Sequence, residues 1–452
     1  MERRHHSSVE PVGHYSCLIL LCVQVYLPNP IELFRASLYN ITSRIKYKET
    51  HFLTIAHQPS SFELQASGPS FHLIMSQYSH LSTPDPEFTA FMKKMGPAPP
   101  LQTDIHVSRA LLENTMRGRP VLSLPSASVD QCSIEYEYLV KQYEVPVDGG
   151  DIAVRCFVPT SKDVADDGKR YPLLVWYHGG ALAFIVGWSR GSLDMDDTNL
   201  RQVCVEKQIS VVNVAYRLAP EHPFPIGVND CYAALKWAAE HTRQLSADLS
   251  RGFLVGGTSA GGNLSAVMAL RARDDPFFSG RPLTGQLLGY PAVCDLNAYP
   301  KKYTALRFVP GSTHMPFRCK IPIRYTDDLL SLEQNKDAPV LSKAGMIWTT
   351  SLLKATPTDP DFSPLLAKSH AGLPPTFIQV CGMDPLRDEA ILYEKILREQ
   401  RVKSRLCIYP GVPHAFNLLF PTLSASQQYE KDFREAIGWM LEINQVENVQ
   451  RP

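Results

Sequence analysis

Phe253-Leu254-Val255-Gly256-Gly257-Thr258-Ser259-Ala260-Gly261-Gly262-Asn263-Leu264 is the stretch from which the rest of this chain can be read. An apolar, strand-like run ends in Gly-x-Ser-x-Gly, and the helix-forming Leu264, Ala266, Val267, Met268, Ala269 and Leu270 follow at once. A serine at so abrupt a strand-to-helix turn has the layout of a nucleophile elbow. The turn forces unusual backbone angles on the serine, so its neighbours must lack bulky side chains. A helix starting beneath the hydroxyl aims unpaired N–H groups at developing negative charge. Any Gly/Ser-rich loop can produce the same letters by chance, so the reading depends on what surrounds it.

Outward from this turn the chain alternates. Runs rich in β-branched residues occur at Leu173–Tyr177, Ile209–Tyr216, Phe253–Gly256, Gln286–Tyr290, Phe377–Cys381 and Arg405–Tyr409. Helical stretches such as Asn229–His241 and Leu386–Gln400 lie between them, the latter with Leu386, Ala390, Tyr393 and Leu397 on one face. This alternation predicts an α/β fold with a mostly parallel sheet covered on both faces. Its reactive site belongs beyond the carboxyl ends of the strands. Ahead of the alternation, Tyr138–Val147 and Ile152–Val158 flank Asp148-Gly149-Gly150 and read as a hairpin.

The first 74 residues lack sustained periodicity and read as an extension outside the native chain, with Met75 as its start. N-terminal mass measurement on the native protein tests this. Residues 75–135 form a polar helical segment, orderly from Pro86 to Lys94, which must pack on something larger. The catalytic domain then spans 136–445. The apolar run Cys17–Leu27 is about half the roughly 20 residues that a membrane span needs. Pro28-Asn29-Pro30 stands where a signal-peptide cleavage site would be. A cytoplasmic location is the reading, with secretion through residues 1–27 left open.

Charge is balanced, 45 basic against 45 acidic residues, which gives no electrostatic footing for nucleic acid or an anionic membrane. The ten cysteines are scattered without a CxxC pair, so they read as buried thiols rather than zinc ligands. No metal or cofactor is expected.

A serine hydroxyl needs a base and a group to orient that base. In this sheet order the acid precedes the histidine. Asp384 follows the strand Phe377–Cys381, and His414 follows Arg405–Tyr409. Asp384 also suits a helix N-cap before Pro385, and Asp388 is a rival carboxylate one turn into the helix. A loop histidine is often only surface. For the oxyanion hole, Leu173–Tyr177 ends in His178-Gly179-Gly180-Ala181, whose small residues let backbone N–H groups approach a substrate; the N–H of Ala260 is the remaining donor. An ordinary glycine turn is the plainer reading of the same residues.

Together, His178-Gly179-Gly180, the run Tyr216-Arg217-Leu218-Ala219-Pro220-Glu221-His222-Pro223-Phe224-Pro225, Gly257-Thr258-Ser259-Ala260-Gly261-Gly262-Asn263, Asp384-Pro385-Leu386-Arg387-Asp388 and His414-Ala415-Phe416 resemble the hormone-sensitive-lipase-like branch of the α/β-hydrolases over about residues 140–442. The resemblance implies an eight-stranded, mostly parallel sheet with helices on both faces and a helical cap. It implies Ser259 as nucleophile, His414 as base and Asp384 as its partner, with Gly179, Gly180, Ala181 and Ala260 around the oxyanion. It makes the stretch containing His222 a structural brace for the oxyanion turn.

Two departures stand out. Ala181 replaces the third glycine of His-Gly-Gly-Gly, and the segment Leu182 to Arg190 is several residues too long. Residues 306–329 lack a period and resemble an inserted loop. Each is either a gene-model artefact or a lid.

The expected function is a serine carboxylic-ester hydrolase for small to medium acyl esters. Alternatives are a catalytically weak or silent relative and a receptor-like small-molecule binder. The implied partners are a small ester and, through the last strand's edge at Arg405–Tyr409, a second copy of the chain.

Overall fold

The β-branched runs form strands buried on both faces, because alternate side chains feed two different cores. In β3 (Leu173–Tyr177), Leu173, Val175 and Tyr177 join one cluster, while Leu174 and Trp176 join another. Every residue of β3, β4 (Ser210–Val214), β5 (Phe253–Thr258) and β6 (Gly285–Gly289) is buried. The predicted hairpin is present as β1 (Tyr138–Val147) and β2 (Gly150–Pro159), with Gly149 at φ 79° in its turn. β7 (Thr376–Met383) and β8 (Ser404–Pro413) complete one sheet of eight strands. Its order is β1-β2-β4-β3-β5-β6-β7-β8. β2 pairs antiparallel with both β1 and β4; the remaining pairs are parallel.

The computed structural model describes residues 77–95, 103–117, 138–160, 168–180, 187–299 and 329–450. All belong to one unit, Leu73–Pro452. The sequence expectations for residues 1–74, for Ala181 and for 306–328 lie outside the described residues. Among the described residues, no helix is long and apolar enough to cross a membrane.

One sheet face carries α3 (Asp197–Lys207) and α10 (Ser424–Gln450), whose Leu200, Phe433, Ile437 and Met440 close the smaller cluster. The other carries α4 (Ile226–Glu240), α5 (Ala260–Asp274) and α8 (Arg387–Glu399). The predicted apolar stripe of α8 is buried: Leu386, Ala390, Tyr393 and Leu397 are each at most 1% exposed. A third cluster gathers Phe88 of α1 (Pro86–Met95), Tyr290, Tyr409, Phe416 and Tyr429.

The polar helix α2 (Ile105–Arg117) is anchored by charge as well as by its buried Leu112. Arg109 donates to the carbonyls of Ser189 and Ala219 and forms a paired ion contact with Glu221. The chain runs from β3 to β4 and then crosses back to β5 on the other side of β3. That reversal opens a crevice beyond the carboxyl ends of β3 and β5, where a ligand site is expected.

Candidate active site

Ser259 stands between β5 and α5 with φ 55° and ψ −115°. A side-chain-bearing residue adopts such angles only when its surroundings enforce them. Here the Ser259 N–H is held by the carbonyl of Gly289 at 2.8 Å. A Cβ on Gly257 or Gly261 would overlap the Tyr177 carbonyl oxygen, so both positions require glycine. α5 begins at Ala260, whose N–H has no acceptor within the helix.

His414 follows β8 directly, ahead of Ala415 in a left-handed conformation at φ 54°. Its Nε2 lies 2.9 Å from Ser259 Oγ, across 155 residues of chain. Its Nδ1 lies 2.6 Å from Asp384 Oδ2. All three side chains are at most 1% exposed. Both sequence readings of Asp384 hold at once: Oδ1 accepts the Leu386 N–H at 2.9 Å, as a cap would, while Oδ2 meets the imidazole.

The rival Asp388 is engaged elsewhere. Its Oδ2 accepts the N–H groups of Leu330 and Ser331, and its Oδ1 accepts from Arg387 Nε at 2.7 Å. His222 is half-buried in its loop, with its N–H bonded to the Leu218 carbonyl, while the Ser259 hydroxyl is met by His414.

The turn after β3 is braced from below. The His178 ring stacks on Tyr216 at 4.4 Å, and the Tyr216 hydroxyl donates to the His178 carbonyl at 2.8 Å. Burial lowers the His178 pKa to about 4, so the ring is neutral at pH 7, with an Nδ1–H donated to the Gly179 carbonyl at 2.8 Å. Gly179 backs onto Thr258, and Gly180 lies against the backbone of Gly187 and Arg190.

Gly187 is the residue that the sequence reading missed. A Cβ there would fall 2.6 Å from Ala260 Cβ and 3.1 Å from the Gly180 nitrogen. The chain thus leaves the turn at Gly180 and returns at Gly187, tight against the start of α5. Of the segment Leu182 to Arg190 that reads as several residues too long, Gly187 to Arg190 are among the described residues. Gly187, Trp188, Ser189 and Arg190 are all buried, and Trp188 accepts the Ala219 N–H. The signal was available: Gly187-Trp188 repeats the pattern of a small residue needed for close approach, six positions late.

Two more buried groups shape the crevice. Asn263, one turn into α5, donates to the carbonyls of Ala292 and Phe362. Glu389 of α8 accepts the N–H groups of Val293 and Cys294 and contacts the Tyr299 hydroxyl. Burial raises its carboxyl well above the usual range. Trp188, Cys294, Leu296, Met346, Phe362 and Leu386 line a small apolar cavity of about 20 Å³, with Asp295 at its wall. Leu386 and Trp188 connect this cavity to Asp384 and Gly187 respectively.

Comparison with known proteins places this arrangement. Residues 174–317 and 319–418 match the family described as alpha/beta hydrolase fold. An AB hydrolase superfamily protein of Schizosaccharomyces pombe is 32% identical over 364 residues, 79% of this chain and 94% of that protein. The carboxylesterase NlhH of Mycobacterium tuberculosis is 35% identical over 321 residues, 69% of this chain and 82% of its own length. The solved structure of a vibralactone cyclase is 38% identical, with a TM-score of 0.69 over 81% of this chain and 97% of that one. The chain belongs to the α/β-hydrolase fold family, in its hormone-sensitive-lipase-like branch, and is an esterase-type serine hydrolase.

Proposed function

We propose that this enzyme hydrolyses carboxylic esters of small to medium acyl groups by way of an acyl-enzyme. The observation that carries the reading is the buried relay Ser259–His414–Asp384, with contacts of 2.9 and 2.6 Å. Ser259 Oγ bonds to the ester carbonyl carbon while His414 Nε2 takes its proton. Asp384 holds the resulting imidazolium through Nδ1–H. The carbonyl electrons move to oxygen, which accepts N–H groups from Ala260 and the glycine turn. Gly187 packs against both Gly180 and Ala260; Gly179, Gly180 and Ala181 are the further residues expected from sequence around the oxyanion. The C–O bond then breaks, and the alcohol leaves with the proton from Nε2. Water gives a proton to Nε2 and its oxygen to the acyl carbon, releasing the acid and restoring Ser259.

Ser259→Ala is expected to lower kcat by about 10⁶, as for serine hydrolases whose nucleophile is removed. Retention of a tenth of wild-type p-nitrophenyl ester hydrolysis refutes the reading. A fluorophosphonate that labels Ser259 also separates this reading from a silent relative or a receptor-like binder, neither of which activates the serine. The cyclase at 38% identity favours one second reading, ring closure in place of net hydrolysis. Product mass decides between them, because hydrolysis adds the elements of water and ring closure does not.

A further inference from the structure

His414 has a neighbour whose conformation the relay leaves unexplained. Tyr290 follows β6 at φ 33°, a left-handed angle that a bulky side chain adopts only under constraint. Its N–H is bonded to the Gln379 carbonyl at 2.7 Å, and the residue is 3% exposed. This backbone turns the ring onto the imidazole: the centroids are 4.8 Å apart and the planes meet at 67°, an edge-to-face contact.

The hydroxyl reaches further. It donates to Asn417 Oδ1 at 3.2 Å, three residues past His414. Asn417 is in turn anchored on α10, donating to Glu430 Oε1 at 3.1 Å. One side chain thus touches the ring of the base and the loop that carries it.

We infer that Tyr290 is a positioning residue for His414, its ring walling the imidazole into line with Ser259 and its hydroxyl holding the loop that carries His414. The physical need is plain. An imidazole held at Nδ1 by one carboxylate oxygen can still swing about that bond, and a swing of about 1 Å at Nε2 costs on the order of 10² in rate. A ring packed against it removes that freedom.

The inference rests on the proposed roles of Ser259 and His414, and the test keeps the two apart. In the full chain, Tyr290→Phe keeps the wall and cuts the tether; Tyr290→Leu removes both. Hydrolysis of p-nitrophenyl butyrate, the rate of fluorophosphonate labelling at Ser259 and the thermal midpoint are measured for each. Tyr290→Phe is expected to lower kcat and labelling about threefold to tenfold. Tyr290→Leu is expected to lower both at least tenfold further, with KM within twofold and with Phe restoring what Leu loses. A leucine variant that is folded and labels at the wild-type rate overturns the inference. If Leu fails to fold, a phenylalanine variant with wild-type kcat and labelling overturns it equally. Wild-type protein that does not label at all sinks the proposed function and this inference together. A labelled wild type with equally labelled variants sinks only the inference.

Discussion

Gly187 shows how much of the site's chemistry depends on one missing side chain. Its backbone lies between Gly180 and Ala260, so a methyl group there would press on the first residue of α5. Gly187→Ala is therefore expected to displace the Ala260 N–H and lower kcat about 10²-fold, the loss typical of one oxyanion donor. A wild-type kcat in that variant would remove Gly187 from the hole. His178 contributes through its protonation state. Its folded pKa of about 4 lies below the ordinary 6.5, so the unfolded chain binds the extra proton first. Stability from this group is complete above pH 6.5 and is lost as pH falls toward 4. Between pH 7 and 5 the loss is about 2 kcal/mol. The raised carboxyl of Glu389 acts with the opposite sign over part of that range. Urea unfolding of wild type and His178→Asn at both pH values isolates the histidine, because Glu389 is common to both proteins. Equal pH slopes in the two would refute its contribution.

Helix α8 is the element that joins scaffold to site. Its first two turns present Arg387, Asp388 and Glu389, all at most 1% exposed. Arg387 donates to Ser82, the Gly382 carbonyl and Gln334, while Asp388 and Glu389 hold the segments at 330–331 and 293–294. Such a cluster orders the loops around Asp384 without entering the reaction. Asp388→Ala leaves the Arg387 guanidinium buried beside an empty partner position and is expected to cost about 3–5 kcal/mol of stability. Fluorophosphonate labelling of the folded fraction should persist. Asp384→Asn, by contrast, is expected to keep the fold and lower kcat about 10⁴-fold, because the amide favours the wrong imidazole tautomer. Chemical denaturation paired with labelling distinguishes the two carboxylates; loss of labelling in folded Asp388→Ala would reverse their assignment.

For the molecule as a unit, the sheet is asymmetric at its two ends. β1 is one outer strand, half of a hairpin, and β8 is the other, with Leu406, Cys407 and Ile408 only half-buried. An outer strand of that length invites pairing with a second copy. Light scattering of the full chain at micromolar concentration is expected to give twice the mass of one chain, and a single-chain mass would refute β8 pairing. The crevice itself is assembled from the whole fold: Gly187 comes from the region after β3, Ser259 from β5, Tyr290 from β6, Asp384 from β7 and His414 from β8.

What could be read from the linear chain was whatever local chemistry controls. Apolar period, turn glycines and the order serine, aspartate, histidine are properties of short windows, and they located the sheet, the elbow and the candidate relay. The bounds shifted only slightly: the run at 209–216 became Ser210–Val214, and the helix at 229–241 began at Ile226. Through-space packing decided the rest. The two oxygens of Asp384 divide between a helix N–H and an imidazole, which no residue spacing encodes. Gly187 reaches Ala260 because two distant backbones pack too closely for a Cβ, and Tyr290 meets His414 because a strained turn aims its ring. Contacts between segments far apart along the chain depend on how whole layers pack, and a local window carries no record of that.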